Sequence, residues 1–174
     1  MSTTLLSIDN LKISFPTKKE RNEMVHAISF EIQENEIVGI VGESGSGKSI
    51  SSLAILGLLD KKTTELDGCI SFENKNLLEL KEREFRKLRG SEISMIFQEP
   101  MSSLNPSMTC GLQVLEILKQ HQRISKKEAK EEVIRLFEKV KLPRATEIFD
   151  QYPHQISGGQ KQRIMIAMAI ACKP

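Results

Sequence analysis

Cysteine is scarce and unpaired: Cys69, Cys110 and Cys172 are the three in 174 residues, far apart and without a CxxC pair. An odd number at such spacing supplies neither a disulfide framework nor a zinc site, and fits a reducing compartment. Long apolar runs are also missing. The longest, residues 164–172, has nine residues, where a bilayer span needs about 20. The first ten residues lack a basic stretch followed by an apolar core, so no signal peptide is expected, and membrane association is expected only through a partner. An excess of one charge is absent as well: 25 Lys and Arg against 23 Asp and Glu leave a net +2. That balance lacks the clustered basic surplus of a nucleic-acid binder. Residues 81–89 and 126–132 alternate in sign, as solvated helix faces do. No internal repeat or low-complexity block occurs.

What is present, 39% hydrophobic and 28% charged residues, fits a soluble globular domain better than a disordered tail. Residues 6–9 and 28–32 alternate apolar and polar, which predicts two half-buried strands joined by a polar hairpin loop over 16–22. Residues 37–41 are a short β-branched run, predicted as a strand buried on both faces. A glycine-rich turn and a helix over 48–59 follow. Further expectations are a strand over 69–72 opened by Asp67-Gly68, a charged helix over 77–89 and a strand over 93–97. Ser125 and Glu128 have capping-box spacing ahead of a helix that carries Ala129, Val133, Phe137 and Val140 on one face. Leu142-Pro143 ends that helix. The order predicts an α/β domain with an N-terminal antiparallel β part and a helical arm, dividing into residues 1–97 and 98–174.

Gly42-Glu43-Ser44-Gly45-Ser46-Gly47-Lys48-Ser49 matches GxxxxGK[ST] in full. Glycines let the backbone curl so that successive N–H groups face a β-phosphate, and the following helix adds its positive dipole end. Lys48 is the residue to reach the β- and γ-phosphates, and the Ser49 hydroxyl is placed to ligate Mg²⁺. Four specified positions coincide by accident in roughly one chain in a hundred or fewer, so nucleotide binding is the expected use.

Ser157-Gly158-Gly159-Gln160 precedes a second helix start, with Ser157 where an N-cap belongs and two glycines that leave N–H groups open to an anion. In a chain that already holds a P-loop, this sequence resembles the signature of the ABC ATPase family, with Ile156 in the place of the usual leucine. Residues 96–100, Ile-Phe-Gln-Glu-Pro, resemble the family's Q-loop. The likeness makes Gln98 a contact to Mg²⁺ and the attacking water. Phe15 is the candidate for the aromatic that stacks on adenine, the alternative being a core strand residue. Met101-Ser102-Ser103-Leu104-Asn105-Pro106 and Tyr152-Pro153-His154-Gln155 resemble the oligopeptide, dipeptide and nickel importer branch. His26, His121 and His154 have no partner set for metal or triad chemistry, and surface or packing roles are expected.

The resemblance implies a P-loop NTPase core of ABC type, ATP and Mg²⁺ as cofactors, and a second ATP-binding subunit whose nucleotide faces Ser157-Gly158-Gly159-Gln160. It also implies integral-membrane permease partners, an indirect link to a solute-binding receptor, and a peripheral place on the cytoplasmic face of the membrane. The family's Walker B strand ending Asp-Glu and its switch histidine have no counterpart in these 174 residues, so the chain is expected to be a partial domain with doubtful hydrolysis of its own. The alternatives are a non-catalytic nucleotide-binding fragment and a soluble, non-transport ABC ATPase.

Overall fold

The computed structural model describes residues 3–16, 21–97 and 103–174. It divides after Phe85 into two compact units, and that division falls inside a helix.

The first unit is built on a four-stranded antiparallel sheet in the order β2-β1-β3-β4. Its strands are β1 (Thr4–Pro16), β2 (Arg21–Gln33), β3 (Glu65–Phe72) and the short β4 (Lys75–Asn76). The first two strands are longer than the alternation predicted, because a bulge keeps the chain in register where the pattern breaks. Ile8 pairs with Phe30 and Leu11 with Ile28, so β1 spends one residue more than β2. The extra residue is accommodated around Asn10, at φ 48°, whose N–H donates to Ser29 Oγ at 2.8 Å. A bulge of this kind shifts the inward face by one position, and Leu11 and Ile13 are fully buried beyond it. On the other edge of β1, Asp9 pairs with Cys69 and Lys12 with Asp67. Asp67-Gly68 therefore lies inside β3, opposite the bulge, instead of opening the strand.

Helix α1 (Lys48–Ile55) ends earlier than predicted. Gly57, at φ 59°, donates its N–H to Ala54 O at 2.9 Å, and Leu58 N–H reaches back to Leu53 O at 2.9 Å. That pair of bonds is a Schellman stop. The charged helix expected over 77–89 is two pieces, a 3₁₀ turn at Leu77–Glu79 and α2 (Glu82–Leu88). Asn76 starts the turn by accepting from Leu78 N–H at 3.1 Å.

Two predicted strands are not formed. Residues 37–41 are irregular, with Ile37 98% and Val41 93% exposed. A strand buried on both faces needs a paired neighbour and a layer over each face, and no described strand pairs with this one. Residues 93–97 keep a single bridge, Arg89 to Ile93, while Ile96 and Phe97 are exposed.

The second unit is helical: α3 (Cys110–His121), α4 (Lys126–Lys139), α5 (Ala145–Asp150) and α6 (Gly158–Ile170) enclose one apolar core. The predicted face of α4 is the buried one, through Ala129, Val133 and Phe137. Its capping box forms as expected: Glu128 N–H donates to Ser125 Oγ at 3.2 Å and Ser125 N–H to Glu128 Oε2 at 2.8 Å. Those bonds hold the Glu128 carboxyl below its usual range. Among the described residues no helix is long and apolar enough to cross a membrane.

Candidate nucleotide-binding site

The loop 42–49 is anchored by its last glycine. Gly47 is buried at φ 90°, and a Cβ there would lie 2.7 Å from Val25 Cγ2 and 3.0 Å from Met24 O. Only a residue without a side chain lets the helix start this close to β2. Gly47 is also the N-cap of α1 and offers no side chain to the first helical N–H groups. Four such groups at a helix start have no partner within the helix, and they carry the positive end of its dipole.

Lys48 closes the loop. Its Nζ donates to Gly42 O at 2.8 Å, Glu43 O at 2.6 Å and Ser46 Oγ at 3.2 Å. Ser46 N–H donates to Glu43 O at 3.2 Å, which curls residues 43–46 into a turn. The serines of α1 divide by face: Ser51 is buried and donates to Gly47 O at 3.0 Å, while Ser49 is exposed on the first turn. A nucleotide's phosphates fit this arrangement on two observations. An ammonium is already held by two loop carbonyls and the Ser46 hydroxyl, and a helix start without a side-chain cap lies beside it.

The remaining predicted residues divide among the described and undescribed parts. Phe15 is half-buried on β1 opposite Asn22. It stands two positions beyond Ile13, whose cross-strand partner is the same Val25 that Gly47 packs on. One strand step of two residues is about 7 Å, so the backbone carries Phe15 to the neighbourhood of the loop's anchor. Gln98 lies outside the described residues, as do Glu99, Pro100, Met101 and Ser102.

Ser157-Gly158-Gly159-Gln160 forms the capped start of α6. Gln160 N–H donates to Ser157 Oγ at 3.3 Å, and Ser157 N–H to Gln160 Oε1 at 2.8 Å. Gly158 and Gly159 are exposed, and a Cβ on Gly159 would meet nothing within 4 Å. Ile156, in the place of the family's leucine, is buried in the helical core and fixes the entry to the turn. Upstream, Tyr152 stacks on His154 with ring centroids 5.6 Å apart. His26 is exposed and 3.0 Å from Glu23.

Sequence reasoning missed one residue that shapes the importer-like segment. Gln113, 5% exposed on α3, accepts from Asn105 N–H at 2.9 Å and donates to Asn105 O at 3.0 Å and Met108 O at 3.1 Å. A buried amide whose bonds are satisfied in this way fixes a loop's backbone. The available signal was weak: a polar residue on an otherwise apolar helix face. Cys110, next to it in the same core, is buried and its thiol is pushed up to about 11 by desolvation, with its own backbone hydrogen bond and Lys161 opposing. Such a thiol is a packing group.

A family model described as ABC transporter matches residues 25–174. The oligopeptide transport ATP-binding protein AppD of Bacillus subtilis is 47% identical over 173 residues, covering 99% of this chain and 53% of the relative. The dipeptide transport ATP-binding protein DppD of Escherichia coli is 46% identical over 170 residues, covering 98% and 52%. The chain thus spans about half the length of the curated relatives it matches. Among solved structures, the dimeric bacterial ABC transporter cassette MJ0796 superposes with a TM-score of 0.85 at 27% identity, covering 98% of this chain and 71% of that one. Its post-hydrolysis state bound to ADP and Pi gives 0.82 at 26% identity over the same shares. The family match over most of the chain and the close likeness to two transport ATP-binding proteins establish that this chain belongs to the ABC transporter family.

Proposed function

We propose that this chain carries the phosphate-binding part of an ATP-binding, energy-coupling subunit of an ABC importer for peptides or a similar small solute. The observation that supports it best is the position of Lys48, whose ammonium sits among the loop carbonyls where α1 begins. Gly42, Glu43, Ser44, Gly45, Ser46 and Gly47 would line the β- and γ-phosphates, with Lys48 neutralising charge that develops on the transferring group. Ser49 and Gln98 would hold Mg²⁺, and Phe15 would stack on adenine. A Mg²⁺ held there would supply positive charge to neutralise the phosphates.

In the same reading, Ser157, Gly158, Gly159 and Gln160 face a nucleotide held by a second subunit, as the exposed Gly158 and Gly159 at the helix start suggest. Closure of the two subunits would be passed to integral-membrane permease partners at the cytoplasmic face of the membrane, with a solute receptor supplying the cargo. Hydrolysis is expected only of a polypeptide that also includes a strand ending in the metal-holding and water-polarising carboxylates. Losing positioned charge at a phosphoryl-transfer site costs several powers of ten in rate, at about 1.4 kcal/mol for each.

Nucleotide affinity of the full-length subunit tests the proposal. Lys48→Ala is expected to weaken Mg-ATP binding at least tenfold, about 1.4 kcal/mol, measured by titration calorimetry. Wild-type affinity in that variant would remove the site assignment. Ser49→Ala is expected to lose affinity in proportion to Mg²⁺ dependence, and an unchanged metal response would remove that role.

A further inference from the structure

The geometry points to Arg163 as a positioning residue for the start of α6. We infer that it ties this helix to the end of α4 and so sets the direction in which Gly158 and Gly159 present their N–H groups. This rests on the reading of that turn as the contact to a second subunit's nucleotide.

Helix α4 ends in a Schellman arrangement without glycine. Lys141, at φ 60°, donates its N–H to Glu138 O at 2.9 Å, and Leu142 N–H reaches Phe137 O at 2.9 Å. Those bonds satisfy two carbonyls and leave the carbonyls of Val140 and Lys141 beyond the helix's own ladder. Arg163 takes both: its Nη1 donates to Val140 O at 2.9 Å and to Lys141 O at 2.6 Å. A guanidinium at a helix C-terminus gains twice, from charge-assisted bonds and from the negative end of the dipole.

Arg163 adds a directional restraint to the apolar packing of α6. The buried residues there are Ile164, Met165, Ala167 and Ala169. Apart from Ile164 these are two alanines and a flexible methionine, which constrain rotation and slide of a helix less than directional bonds do. Directional bonds from one exposed side chain do fix them. Arg163 is five residues beyond Gly158, about 7.5 Å along the axis. A shift at one end of a rigid helix is therefore passed to the other end, and errors near 1 Å at a catalytic contact can cost large factors in rate.

The test uses the full-length subunit in the assembled transporter, with nucleotide affinity and turnover measured separately. Arg163→Met keeps the apolar stem and removes the charge and donors. It is expected to bind Mg-ATP at its own P-loop within about twofold of wild type while kcat falls about tenfold. Arg163→Lys, which keeps the charge and moves the donor, is expected to fall between the two. Mixed dimers sharpen this: Arg163→Met paired with Lys48→Ala leaves one site without either lesion, and turnover there is expected to recover. A general loss of stability in the Arg163→Met chain would instead damage its own site and prevent recovery. Unchanged kcat with a lowered Tm, or no recovery in mixed dimers, would overturn the inference. If Arg163→Met does not fold, an Arg163→Lys variant equal to wild type in turnover overturns it as well. A wild-type subunit that does not bind Mg-ATP through Lys48 would overturn the proposed function instead, and the affinity measurement distinguishes that failure.

Discussion

Two glycines, one in the loop 42–49 and one at the start of α6, have opposite physical reasons for being small. Gly47 is enclosed: its φ of 90° and the 2.7 Å separation a Cβ would have from Val25 Cγ2 leave no room for alanine. Gly159 is open, with nothing within 4 Å of a Cβ. Gly47→Ala is expected to cost about 2 kcal/mol or more of stability, from left-handed strain plus displacement of β2. Gly159→Ala lies in the first turn of a helix, where alanine is tolerated or preferred, and is expected to change stability by under about 0.5 kcal/mol. Urea unfolding of the two variants checks this directly. A Gly159→Ala protein as destabilised as Gly47→Ala would show that Gly159 answers to packing within the chain and not to something that approaches from outside. The GxxxxGK[ST] motif itself was fully legible in the sequence, because its eight residues are contiguous and its pattern is local. Gln113 was not legible, because its role depends on the backbone of residues 105 and 108 folding back over α3.

At the scale of elements, the two Schellman stops differ in one residue. The stop after α1 has Gly57 at the left-handed position and the stop after α4 has Lys141. A side chain there costs roughly 1–2 kcal/mol against the right-handed alternative, partly offset by the greater entropy that glycine loses on folding. Lys141→Gly is therefore expected to stabilise the helical unit by about 0.5 kcal/mol, read as a higher denaturation midpoint in urea. Unchanged or lower stability would mean that the bonds from Arg163 already hold this turn at no strain. The same contrast explains which boundaries the sequence disclosed. The starts of α4 and α6 were readable because Ser125 with Glu128, and Ser157 with Gln160, satisfy each other within four residues. The long β1 was not readable, because the bulge at Asn10 is set by Ser29 on one neighbouring strand and Gly68 on the other. The predicted end of α1 ran past Gly57 because the apolar pattern continues through Leu58 and Leu59. The left-handed turn overrides that pattern.

For the whole molecule, residues 37–41 carry the largest consequence. Ile37, Val38, Ile40 and Val41 are all exposed, and the segment pairs with none of the described strands. Its composition is that of a strand covered on both faces, and an unpaired apolar segment is a template for another chain. A net charge of +2 over 174 residues gives little repulsion to oppose association. The 174-residue polypeptide, purified alone, is therefore expected to self-associate as its concentration rises, measured by sedimentation velocity. Replacing Ile37 and Val41 together by lysine is expected to suppress this, because charges on an edge prevent pairing. In a longer polypeptide that supplies a pairing strand, the same segment is expected to become ordered, with the amides of Gly39 and Ile40 protected from hydrogen exchange. The three measurements are linked. A monomeric short chain, association untouched by the lysine pair, or continued fast exchange in the longer chain would each show that residues 37–41 are not waiting on a strand partner. The apolar, β-branched composition of residues 37–41 would then need another cause.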